Sequence, residues 1–103
     1  MKFDVLPGFA AEYDRLPEEH KALFRAAIRL INQTYASQRD DLPIRWPPEL
    51  RVKRVRGAKR AVWEMTWNFQ RPSGRATFEL IQIDGEPAIL WRRIGGHEIF
   101  GEP

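Results

Sequence analysis

The chain has 103 residues, no cysteine and a net charge of +3, with 43% apolar and 12% aromatic residues. That suffices for one modest core, and it excludes disulfides, thiolate metal sites and cysteine redox chemistry. The first residues, Met1 to Pro7, carry no long apolar run before a cleavage site, and nothing approaches a membrane span, so a cytoplasmic, membrane-free protein is expected.

The charge is uneven. Residues 1–50 carry seven Lys and Arg against eight Asp and Glu, whereas residues 51–103 carry ten against six. The basic second half suits a polyanionic partner: nucleic acid or an acidic protein segment. The plainer alternative is a solvated basic face that keeps the chain soluble.

In chain order, Lys2 to Leu6 reads as a short strand closed by Pro7-Gly8. Phe9 to Arg15 reads as a short helix, with Phe9, Ala10 and Tyr13 at one-turn spacing. Leu16-Pro17-Glu18-Glu19 is a helix start, with proline at the first position and two acids at the positive end of the dipole. The helix is expected to run to about Tyr35, with Leu23, Phe24, Ala27, Ile28, Ile31 and Tyr35 as its apolar stripe. His20 reads as an exposed histidine without a role. Ala36 to Leu50 is a connection broken by Pro43, Pro47 and Pro48, with Trp46 and Leu50 as anchors on the core.

The pattern then turns to strands. Arg51 to Arg56 is strand-like and ends at Gly57. From Ala61 the alternation puts Ala61, Trp63, Met65, Trp67 and Phe69 on one face, and Val62, Glu64, Thr66 and Asn68 on the other. The aromatic face is expected to be core, not a base-stacking platform, because it holds no cation and the long helix needs an apolar surface to cover. Residues 70–74 form a turn, and Arg75 to Ile83 form a strand. Asp84-Gly85 signals a tight hairpin into Pro87 to Ile94, and residues 95–100 form a terminal loop. Strand, two helices and four strands make an α+β fold. No linker or repeat divides it, so residues 1–103 are expected to form a single domain.

There is no Walker loop, GxGxxG or HExxH, and two histidines without cysteine do not make an ordinary zinc site, so no cofactor or metal is expected, with carboxylate-held magnesium as the alternative. The informative groups are a carboxylate, Glu64, a guanidinium, Arg75, and an imidazole, His97. If the strands form one sheet, these converge near one edge. Such a set suffices to cleave RNA through its 2′-hydroxyl: one group takes the 2′ proton, one protonates the departing 5′ oxygen, and the cation steadies the charge on phosphorus. The plainer alternative is that Arg75 forms a cross-strand ion pair with Glu64 or Glu79 and that His97 sits in an ordinary turn.

Lys53-Arg-Val-Arg-Gly57, Val62-Trp-Glu-Met-Thr66, Gly74-Arg-Ala-Thr-Phe-Glu79 and Leu90-Trp-Arg-Arg-Ile-Gly-Gly-His-Glu-Ile-Phe100 together resemble the RelE/ParE superfamily of toxins of type II toxin–antitoxin systems. The resemblance implies a RelE-like microbial RNase fold, with two N-terminal helices packed on an antiparallel sheet of four to five strands. Its RelE-like members are ribosome-dependent mRNA endonucleases neutralised by a cognate antitoxin protein. Its ParE-like members poison DNA gyrase. By position, Arg75 matches the arginine at the scissile phosphate, Glu64 the general base of the YoeB-like branch, and His97 the terminal general acid. Arg51, Lys53, Arg54, Arg56, Lys59, Arg60, Arg93 and Phe100 are the expected RNA-binding residues. An acidic antitoxin segment is expected to cover the Arg51–Arg60 surface or displace the Phe100 end. Phe100 departs from the tyrosine of many nuclease members: it can stack on a base but has no proton to donate. The resemblance therefore implies translation inhibition by mRNA cleavage. A ParE-like gyrase poison, or a non-catalytic nucleic-acid- or antitoxin-binding module of the same fold, stands as the alternative.

Overall fold

The computed structural model describes residues 1–36, 45–57, 61–68, 73–96, 99 and 103. Five strands form one sheet: β1 (Lys2–Val5), β2 (Lys53–Arg54), β3 (Trp63–Asn68), β4 (Gly74–Ile83) and β5 (Glu86–Gly95). Their spatial order is β1-β5-β4-β3-β2. Helices α1 (Pro7–Asp14) and α2 (Glu18–Ala36) lie between β1 and β2 in the chain, and a 3-10 turn at Pro48–Leu50 precedes β2.

Local chemistry accounts for most boundaries. Pro7 opens α1, where its missing N–H costs nothing, and Glu18 and Glu19 occupy the first turn of α2. The hairpin between β4 and β5 turns on Asp84 (φ 53°) and Gly85 (φ 79°), the positive-φ pair that a two-residue loop needs to match strand twist.

The expected antiparallel sheet requires one correction. β2 to β5 pair antiparallel, but β1 joins β5 in parallel, Phe3 opposite Ile89 and Val5 opposite Trp91. Both helices intervene before the chain returns to the sheet, so β1 takes an edge by a crossover and not by a hairpin.

The helices cover one face. Trp63, Met65 and Trp67 of β3 turn to that side, as their alternation predicts, and meet Ala76, Phe78, Ile89 and Trp91 beneath Phe9 of α1 and Phe24, Ala27 and Ile31 of α2. Trp46 stacks edge-on against Phe78 at 5.4 Å, so the connection is anchored as expected. Leu23 is 37% exposed and lies outside the stripe assigned to it. His20 is half-buried, with its ring 5.8 Å from that of Trp67, so it is a packing residue and not an exposed one. Phe69 lies outside the described residues.

Trp67 leaves no room at Gly74. A Cβ there would stand 2.5 Å from Cε2 and Cζ2 of the indole. Gly74→Ala is therefore expected to destabilise the fold by about 1–3 kcal/mol, as overpacking does. Chemical denaturation checks this; an unchanged midpoint would show that the indole moves aside freely.

Candidate active site

Val62, Glu64, Thr66 and Asn68 alternate with the core residues of β3 and occupy the sheet face away from the helices. β4 adds Arg75 and Thr77 to this face, because Thr66 pairs with Arg75 and Glu64 with Thr77. Glu64 and Arg75 thus stand on one face of adjacent strands, on a diagonal, as the hairpin reading predicts. Diagonal neighbours in a ladder are about 7–8 Å apart, close enough for long side chains to reach one substrate group.

Each has a partner. The Glu64 carboxylate lies 3.4 Å from the Lys53 ammonium, on the directly paired residue of β2. Its side chain is 13% exposed and that of Lys53 is 71% exposed, so the pair opens outward through the lysine. Arg75 donates from Nη1 to the Thr66 hydroxyl. Among the described residues it takes Thr66 and not Glu64 or Glu79, leaving both carboxylates to other cations. The Glu79 carboxylate instead receives Arg92 at 2.6 Å.

Two features of this face were not expected. First, it is not an open polar surface. Val62, Thr66, Asn68 and Thr77 are all buried, and Val62 and Ile99 are buried outside the helix-side core. Pro103 lies here: its carbonyl accepts from Thr77 Oγ1 at 2.9 Å and from Arg92 Nε at 3.0 Å. Second, Arg92 belongs to this face. A register shift after Thr77 places Phe78 opposite Trp91 and Thr77 opposite Arg93, leaving Arg92 as the extra residue. Continuing the period-two count through the hairpin would have placed Thr66, Thr77 and Arg92 beside Glu64.

Arg93 turns toward α1. It grips Glu12 through Nη2 at 2.7 Å and Nε at 3.3 Å, and Glu12 also accepts the Ile94 backbone N–H at 3.4 Å. Glu12 thereby caps β5 beyond the point where β1 ends. The basic run divides similarly. Lys53 shares the Glu64 face, while Arg54 lies opposite Trp63 with its guanidinium 5.4 Å from that ring. Arg51 and Arg56 are exposed beside β2. His97, Lys59, Arg60 and Phe100 lie outside the described residues. Among the described residues no three His, Asp or Glu side chains gather as a metal-binding group, and no helix is long and apolar enough to cross a membrane.

No family model and no curated protein matches the sequence. In structure the chain is similar to a YoeB/ParE toxin from Agrobacterium tumefaciens, aligned over 94% of this chain and 99% of that one, with a TM-score of 0.62 and 13% identity. The chain shares the fold of that toxin structure.

Within this fold the candidate groups are carried by the sheet, whose ladder sets their spacing. Glu64 and Arg75 each stand on a strand paired on both sides, so their backbone positions are rigid. Lys53 and Arg54 occupy a two-residue edge strand, where side chains reach solvent freely.

Proposed function

We propose that the protein is the toxin of a type II toxin–antitoxin pair and that it cleaves mRNA on the ribosome through the 2′-hydroxyl. The observation that carries the reading is the placement of Glu64 and Arg75 on one face of adjacent strands, with Lys53 reaching outward beside them.

In this reading Glu64 is the base that takes the 2′ proton. The freed oxygen attacks phosphorus and forms a cyclic 2′,3′-phosphate. His97 gives a proton to the departing 5′ oxygen. Arg75, held by Thr66, faces the charge that grows on the phosphoryl oxygens. No step in this scheme calls for a metal or a cofactor. The cognate antitoxin and translating mRNA are the partners, and the cytoplasm is the compartment.

The test is to express the protein alone and map the 5′ ends of cellular transcripts. Cuts at fixed positions within codons of translated messages are the expected result. DNA breaks without RNA cuts would replace this reading with gyrase poisoning, which the ParE part of the neighbour's name favours as the second reading. Growth arrest with neither kind of break would leave a binding module.

The exposed cations Lys53 and Arg56 are expected to contact phosphates and not bases. Lys53→Ala with Arg56→Ala should weaken RNA binding alike for unrelated sequences. Each lost contact should lower the log–log salt slope by roughly 0.7–0.9, read from binding titrations across a salt series. A slope unchanged in the double variant would place the phosphates elsewhere.

A further inference from the structure

Trp63 departs from the other aromatic-side residues of β3. Met65 and Trp67 are buried, whereas Trp63, the first residue of the strand, is only half-buried. The sequence places no cation among these residues, but pairing with β2 brings one there. Arg54 stands directly opposite Trp63, and opposed residues of a ladder share a face. Its guanidinium lies over the indole, 5.4 Å from the ring centroid, and the arginine is otherwise exposed. The ring quadrupole attracts the cation and so restrains a side chain that solvent alone would leave mobile. Lys53, one residue earlier, turns to the opposite face beside Glu64. Residues 51–57 together carry four Lys and Arg and no acid.

We propose that the Arg54 guanidinium, steadied by Trp63, is a stacking platform for one unpaired nucleobase of a single-stranded RNA. The platform rests on RNA being the substrate, as proposed above, and adds a base contact to the phosphate contacts of Lys53 and Arg56. The cationic run gives the sign of the ligand. The planar cation on an indole gives its flat, π-bearing part, since bases stack on guanidinium planes as they do on aromatic rings. A paired base is already stacked within its duplex, so single strands are favoured. An acidic protein segment would satisfy the charges and leave the stack unused. β2 is the edge of the sheet and only two residues long. A nucleic-acid strand crossing that edge meets Arg54 on the helix side, and Lys53, Glu64 and Arg75 on the other.

The probe is a short 2′-O-methyl oligoadenylate, which lacks the 2′-hydroxyl and so cannot be cut through it. Its control has the same backbone with abasic positions throughout. In fluorescence anisotropy at one salt concentration, the wild-type protein should bind the base-bearing strand about tenfold more tightly than the abasic one, within the range that one stacked base contributes. Arg54→Lys keeps the charge but loses the plane, so it should erase most of that difference while leaving the log–log salt slope unchanged. Trp63→Phe should keep the preference and Trp63→Leu should lose it. Lys53→Ala with Arg56→Ala should lower the slope and keep the preference. Equal affinity of the wild type for the two strands, or a preference that survives Arg54→Lys or Trp63→Leu, overturns the proposal. Arg54 is exposed, so its variant decides the matter even if Trp63→Leu fails to fold. Binding of neither strand overturns it too, and leaves the cationic edge to an acidic protein. No step of the test requires cleavage. A base preference without RNA cuts in cells removes the nuclease reading alone, and cuts without a base preference remove the platform alone.

Discussion

If the proposed cleavage holds, Glu64→Gln and His97→Gln are each expected to lower it by about 10²–10⁴-fold, the range for removing a general base or acid, while RNA binding stays nearly intact. Arg75→Ala is expected to lower it by about 10²–10³-fold, as the loss of a preorganised charge-stabilising donor does. Glutamine keeps the shape of glutamate and sacrifices only an ion pair whose lysine is 71% exposed. Such a pair contributes about 0–1 kcal/mol, so the variant should fold normally and the loss should fall on the rate. The pH dependence separates catalysis from simple disruption. A base acts when deprotonated, so the wild-type rate rises with pH on the acidic limb, and Glu64→Gln should flatten that limb. An acid acts when protonated, so the rate falls on the basic limb, and His97→Gln should flatten that one. Single-turnover cleavage of an mRNA on stalled ribosomes, measured across pH, reads both. Phe100→Tyr should raise the rate if a phenolic hydroxyl assists. A Glu64→Gln/His97→Gln double variant that cleaves at the wild-type rate would remove both residues from the chemistry and move the gyrase reading ahead.

Trp91→Ala should be the most damaging core substitution. Trp91 is 2% exposed and packs against Phe9, Phe24 and Phe78, with ring centroids 5.8, 5.1 and 5.3 Å away. It therefore ties both helices to the centre of the sheet. Truncating a buried tryptophan costs about 3–5 kcal/mol, through lost transfer energy and the cavity left behind. Small domains have about 5–15 kcal/mol in all, so the variant would stand near the edge of folding. At about 4–8 °C per kcal/mol, its melting temperature should drop by tens of degrees. Thermal unfolding followed by circular dichroism measures this. A drop of a few degrees would mean that the aromatic cluster repacks around the gap.

Much of the architecture could be read from local pattern. Period-two alternation set which residues of β3 face the core, because successive side chains in a strand must point to opposite sides. Asp84-Gly85 announced the hairpin, because those residues tolerate the positive φ that a two-residue turn demands. The Glu18-Glu19 pair marked the start of α2 through its fit to the unpaired first turn, whereas Pro7, read as the close of β1, opens α1. Given the hairpin, the same alternation brought Glu64 and Arg75 to one face.

Other features required the assembled chain. Alternation says which residues share a face, but not what lies over it, so the burial of Thr66, Asn68 and Thr77, with Pro103 on Thr77, became visible only in the folded chain. The parallel position of β1 follows from which sheet edge remained beside β5, a long-range choice that a four-residue strand does not encode. The ion pairs are likewise tertiary. Arg92 and Arg93 fall on opposite faces, as alternation along a strand predicts, but that one meets Glu79 across the hairpin and the other Glu12 on α1 is decided by the fold. Composition and periodicity act over a few residues and determined the elements and their faces, whereas partners and coverage depend on contacts between segments far apart in the chain, which only the folded sheet brings together.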